Sequence, residues 1–201
     1  MIYIYGDSHA YFSFKNCKLD HANYQCASIT MFRIGRDNNI INFNKHSQIH
    51  HNDVIVLSYG EVDCRCHIQR QIDNGRSEDD VINELVNKYY QTIKNNIVNG
   101  KIIIVGVIPP TKRYDYESLH GSILHEFPFV GTDEARVRYT RKVNAKLEEL
   151  ANINNYVYFN PYSYYTRDDG NLKYDLSDKC VHLGDNSYFL ERFYDVYNSI
   201  I

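Results

Sequence analysis

Apolar residues follow two spacings along this chain, and the spacing changes at nearly every glycine or proline. Short β-branched and aromatic runs read as strands at residues 2–5, 27–32, 54–57, 101–107 and 156–159. Gly6-Asp7 stops the first, Asp53 and Gly60 bracket the third, and Pro109-Pro110 ends the fourth. The fourth run is almost wholly apolar, the pattern of a parallel strand covered on both faces. Elsewhere the spacing is helical. Ile82, Leu85, Val86, Tyr89, Ile93 and Ile97 share one face behind the start signal Ser77-Glu78-Asp79-Asp80, and Gly100 ends the run. Tyr139, Val143, Leu147 and Leu150 form a second stripe after Thr132-Asp133-Glu134. A third runs from about Asp185 through Phe189, Phe193, Val196 and Ile200. Strands alternating with helices predict an α/β protein, a three-layer α/β/α sandwich on a five-stranded parallel sheet with right-handed crossovers. There is no internal repeat, and 201 residues suit one domain spanning 1–201.

Composition narrows the function. At 43% hydrophobic and 23% charged, the chain resembles an ordinary globular domain and not a disordered or fibrous one. No apolar run approaches the roughly 18 residues of a membrane span. A net charge of -3 with scattered basic residues provides no field for a polyanion, so neither nucleic acid nor membrane is an expected partner. The opening Met-Ile-Tyr-Ile-Tyr reads as a strand and not as a secretory signal, which points to an intracellular protein. Five cysteines, an odd number thinly spread, are expected to remain thiols. Abundant Asn, Ile and Tyr without any Trp are consistent with AT-rich codons.

In open parallel sheets, ligands bind beyond the carboxyl ends of the strands. Here those ends carry Gly6-Asp7-Ser8-His9, Gly35, the segment Gly60-Glu61-Val62-Asp63-Cys64-Arg65, and a late polar stretch with Asp175, Asp178 and His182. Ser8, on the turn after the first strand, is placed to attack a carbonyl while its own amide binds the oxyanion. Such a serine needs a base held in one tautomer by a third group. His182 is the candidate base and Asp178 the candidate orienter, with Asp175 as the alternative. The plainer reading is a turn in which Asp7 or Ser8 caps a helix. Cys64-x-Cys66-His67 lacks the second ligand pair of a zinc site, and Cys17, Cys26 and Cys180 stand alone, so no metal is expected. Neither Gly-x-Gly-x-x-Gly nor a phosphate-binding loop is present, so no nucleotide or flavin cofactor is expected. The long connection 111–131, with Arg113, Tyr114, Asp115, Tyr116, Glu117, His120, His125 and Phe127, reads as a lid or substrate loop suited to a sugar. His120 and His125 read as exposed loop histidines.

Taken in order, Gly6-Asp7-Ser8-His9, Gly35, Gly60-x-x-Asp63 and Asp178…His182-Leu183 resemble the blocks of the SGNH (GDSL-like) hydrolase superfamily. The resemblance spans nearly the whole chain and implies a flavodoxin-like fold and a serine esterase or acyl-transfer activity needing no cofactor. It assigns Ser8 as nucleophile, His182 as base, Asp178 as orienter, and the amides of Ser8 and Gly35 to the oxyanion hole. The family's third oxyanion donor, an asparagine side chain, falls on Val62, with Arg33, Arg36 or Arg65 as possible stand-ins. Asp178 and His182 are four apart where the family has three, and His9 follows the serine where the family commonly has leucine. The segment 60–67 looks like a variant block of polysaccharide-associated members, with Asp63 and Arg65 paired. Asp7, His9, Gly60, Glu61, Asp63 and Arg65 are expected to bind substrate or support the site. The expected substrate is an O-acetyl or other short acyl ester of a carbohydrate. An O-acyltransferase using the same residues and an inactive glycan-binding module are the alternatives.

Overall fold

The computed structural model describes residues 1–25, 29–38, 49–97, 99–123 and 127–201. Five strands, β1 (Ile2–Gly6), β2 (His21–Gln25), β3 (Val54–Ser58), β4 (Lys101–Val105) and β5 (Val157–Phe159), form one all-parallel sheet ordered β2-β1-β3-β4-β5. This is the doubly wound flavodoxin-like order, whose direction reverses between β1 and β3.

Side-chain alternation divides the sheet between two cores. Tyr5, Ile55, Leu57, Ile102 and Ile104 face helices α2 (Met31–Asp37), α4 (Glu78–Asn96) and α6 (Asp133–Ile153). Ile2, Ile4, Val54, Val56, Ile103 and Val105 face α1 (Ser8–Phe14) and α8 (Ser187–Ile200) through Phe14, Phe189 and Phe193. Each buried Ile, Val or Phe contributes about 1.5–3 kcal/mol, so these two faces hold the domain together. The expected helix starts are present: Ser77 Oγ accepts from the Asp80 amide at 3.1 Å and Thr132 Oγ1 from the Ala135 amide at 3.1 Å. No helix among the described residues is long and apolar enough to cross a membrane.

The second strand is corrected. It is His21–Gln25, while Thr30 in the expected strand 27–32 instead caps α2, accepting from the Arg33 amide at 3.1 Å. Met31 and Ile34, one helical turn apart, are the buried residues of α2. β2 is an edge strand whose side chains at 21–24 are partly or fully exposed, so His-Ala-Asn-Tyr-Gln carries no apolar run to announce it. The expected loop 111–131 contains a further helix, α5 (Arg113–His120). His125 lies outside the described residues.

β5 ends at Phe159, its last pairing being with Val105, yet the chain runs on past β4 toward the site. There Asn144 of α6 replaces the missing strand. Its Oδ1 accepts from the Val107 amide at 2.7 Å and its Nδ2 donates to the Val107 carbonyl at 2.9 Å, all buried. Asn144→Leu keeps the branched shape and orphans both backbone groups, so denaturant unfolding should show a loss of about 2–4 kcal/mol. A loss below about 1 kcal/mol would mean that Val107 finds other partners.

Candidate active site

β1 runs directly into α1 through Asp7. Asp7 Oδ1 accepts from the His9 amide at 2.9 Å, which sets Ser8 as the first residue of the helix. Gly6 is required by close approach, since a Cβ there would lie 2.1 Å from Ala10 Cβ and 2.6 Å from the Ser58 carbonyl oxygen. Opposite this turn, the stretch before α8 folds on itself by the bridge Ser177↔Leu183 and the bond from the Asp178 amide to the His182 carbonyl at 3.0 Å.

That fold-back turns the four-residue spacing into a contact. Asp178 Oδ1 accepts from the amides of Cys180 (2.8 Å) and His182 (3.1 Å), and Oδ2 lies 2.8 Å from His182 Nδ1. His182 Nε2 lies 2.9 Å from Ser8 Oγ. Ser8, His182 and Asp178 are therefore brought into one line, and no hydrogen bond joins Asp175 to the imidazole. Burial raises the Asp178 carboxyl, but the bonds from His182 and the two amides outweigh it and hold it below its ordinary value. His182 is depressed, first by burial and then by the charge of His9, with Asp178 opposing. A neutral imidazole with Asp178 on Nδ1–H leaves Nε2 free to accept the serine proton.

Around this line lies a buried ionic group. His9 Nε2 is 2.8 Å from Glu61 Oε2, and Arg65 Nε is 2.9 Å from Glu61 Oε1. Burial raises Glu61, yet Arg65 and His9 overcome it and hold the carboxylate well below its usual range. Burial lowers His9, but Glu61 and Asp7 bring it out above its ordinary value. The His9 ring lies 4.6 Å from the His182 ring. Asp7, also buried, is raised by burial, and its Oδ2 has no hydrogen-bond partner among the described residues.

The expected Asp63–Arg65 pair does not form. In the π-helical turn Asp63–His67, Arg65 shares a face with Glu61 four residues earlier, whereas Asp63 points to the start of α2. There its two oxygens accept from the amides of Met31 (2.8 Å) and Phe32 (3.1 Å). Burial, partly opposed by these amides, pushes the Asp63 carboxyl up to about 7. Gly60, at φ +120°, starts this segment where a Cβ would meet Val107 Cγ2 at 2.8 Å.

Gly35 is likewise not brought to Ser8. It lies within α2, its Cβ position 2.8 Å from Lys88 Cβ of α4, and an amide inside a helix is committed to the helical ladder. Arg33 and Arg36 pair with Asp37 on the same helix. Arg65, by contrast, lines the cleft above Ser8. This cleft holds about 240 Å³ and also presents Val62, Tyr116, Phe127 and His182. A cleft of about 290 Å³ between α2, α3 (Ile68–Asp73) and α4 contains none of Ser8, His182 and Asp178. Cys64 and Cys66 are buried and form no ligand cluster with His67 among the described residues.

One contact was missed in the sequence. Phe12 stacks on His182 at 4.3 Å with the rings 12° apart, walling one face of the imidazole. Its signal was the i, i+4 relation to Ser8 on a helix starting at Ser8.

No sequence-family model matches the chain, and no curated protein sequence does. Solved structures do match. A GDSL-like lipase from Bacteroides thetaiotaomicron superimposes with a TM-score of 0.60 at 14% identity, over 99% of this chain and 86% of the other. A lipolytic G-D-S-L protein from Veillonella parvula gives 0.53 at 16%, over 98% and 96%. The extracellular lipase of Streptomyces rimosus gives 0.51 at 11%, over 100% and 99%. These likenesses establish a shared fold across the whole chain.

The opposite displacements of the two stacked histidines are measurable. In an NMR titration of the imidazole resonances, His182 should titrate below 6.5 and His9 above it. Titration of His182 above 6.5 would contradict the neutral state inferred for it.

Proposed function

We propose that the protein is a serine esterase that cleaves a short acyl ester through an acyl-enzyme on Ser8. The observation that carries this reading is the continuous line from Ser8 Oγ through His182 to Asp178, with contacts of 2.9 and 2.8 Å. Ser8 Oγ attacks the ester carbonyl as His182 Nε2 takes its proton. His182 then gives that proton to the leaving alcohol, and a water activated by the same nitrogen releases the acid. Asp178 holds the tautomer throughout and stabilises the imidazolium.

The oxyanion needs donors, and Val62 supplies none. The Ser8 amide and the guanidinium of Arg65 are donors of the cleft that can serve. Arg65 is fixed by Glu61 and by its bond to the Phe127 carbonyl. A cleft of about 240 Å³, near the lower end of the roughly 300–1,000 Å³ of most ligand sites, suits a small acyl group. Tyr116 and Phe127 offer aromatic faces for a sugar ring carrying that group. Transfer of the acyl group to a sugar hydroxyl uses the same residues, and product analysis separates it from hydrolysis.

Fluorophosphonate treatment followed by peptide mapping should place one label on Ser8, and turnover of an aryl acetate should accompany it. Ser8→Ala and His182→Ala should each lower kcat by on the order of 10⁶, and Asp178→Asn by about 10⁴, with Asp175→Asn near wild type. A folded protein that is neither labelled nor active but still binds a glycan would overturn the esterase reading in favour of an inactive glycan-binding module, with the missing asparagine at Val62 as the cause. Arg65→Met should lower kcat about 100- to 1,000-fold with little change in KM. An unchanged kcat would remove Arg65 from the oxyanion site. The kcat/KM profile should rise with pH through a midpoint below 6.5, because the base must be neutral and its pKa is depressed.

A further inference from the structure

The loop that carries the base alternates three metal-ligating side chains, Asp178, Cys180 and His182. One ligand atom from each lies within 4.8 Å of the other two, and all three residues are half-buried. The Cys180 thiol is in no disulfide, lines the cleft over Ser8 beside Tyr116, and has no part in the Ser8 chemistry. The loop is already braced for such use, because Asp178 Oδ1 is occupied by the Cys180 and His182 amides while Oδ2 faces the imidazole.

We propose that Asp178, Cys180 and His182 bind a thiophilic divalent cation such as Zn²⁺, and that the bound cation turns the base off. The donor set of one thiolate, one imidazole and one carboxylate, completed by water, is that of a three-ligand zinc site. Bond lengths of about 2.0–2.3 Å place tetrahedral ligand atoms roughly 3.3–3.5 Å apart. The Oδ2–Nδ1 pair, at 2.8 Å, opens slightly, and the thiol, within 4.8 Å of the other ligand atoms, closes by at most about 1.5 Å. The cation takes the place now held by the Nδ1 proton. That proton reappears on Nε2, so the imidazole stays neutral, and the thiol releases one proton to solvent. With Nε2 protonated, His182 faces Ser8 as a donor and can no longer accept its proton. Inhibition thus arises from a tautomer change and needs no obstruction of the cleft.

The consequence for turnover rests on His182 being the base, whereas the site itself does not, so two readouts are taken on the full-length protein. In the first, Co²⁺ titration is followed by the near-ultraviolet thiolate-to-cobalt absorption. Wild type should show one thiolate's band that is absent from both Cys180→Ser and Cys180→Ala, over whatever background the other four cysteines give. In the second, aryl-acetate turnover is titrated with Zn²⁺ and expressed relative to each protein's metal-free rate. Wild type should be inhibited, with recovery on adding EDTA, and the cysteine variants should need at least about tenfold more Zn²⁺. Equal Zn²⁺ sensitivity with equal Co²⁺ spectra, or no response in either, would overturn the metal site. A Cys180-dependent band in a protein without turnover would keep the site and overturn the esterase reading instead. A Cys180-dependent band in an active protein that Zn²⁺ leaves uninhibited would overturn the tautomer switch.

Discussion

Glu61 is a carboxylate with almost no access to water, and an anion so placed persists only if cations are brought to it. His9 comes from α1 and Arg65 from the π-helical turn after β3, so one charge fastens the element bearing Ser8 to the wall of the cleft. Two effects follow. The His9 imidazole, whose charged form Glu61 and Asp7 favour, lies against His182 and disfavours a proton there. Arg65, gripped at Nε, keeps its outer guanidinium edge fixed at the cleft instead of sweeping through its rotamers.

The parts that sequence made legible are those where burial dictates composition. β3 and β4 lie under helices on both faces and so are written as apolar runs, and α4 and α6 announce themselves by period and by Ser77 and Thr132. β2 was not legible because an edge strand need not be apolar, and the β-branched residues after it belong to a helix start. The same limit applied at the site. Ser8, Asp178 and His182 stood out by type and by position at strand ends. Which acid meets the histidine depended on a fold-back that no spacing rule announces, and the partner of Arg65 depended on a turn wider than α-helical. Gly35 was misplaced because a glycine serves equally to bare an amide and to let two helices touch, and here it does the second against Lys88.

Asp178 shows how few groups the site uses. Its Oδ1 closes the loop through two amides, and its Oδ2 orients the ring that the loop carries. Loop geometry and imidazole orientation are therefore coupled through one side chain, and the four-residue spacing from Asp178 to His182 is held by the bridge Ser177↔Leu183. Phe12 completes the restraint from the opposite side, so the imidazole is held at an edge by charge and on a face by an aromatic ring.

Gly6 has a consequence for how such chains are recognised. The residue is fixed by the contact of β1 with Ala10 and the Ser58 carbonyl, neither of which takes part in the chemistry. A descendant that had exchanged Ser8 for an inert residue would still be obliged to retain this glycine in order to fold. The first letter of the motif is therefore a signature of architecture, and it would survive the loss of the activity with which the motif is associated.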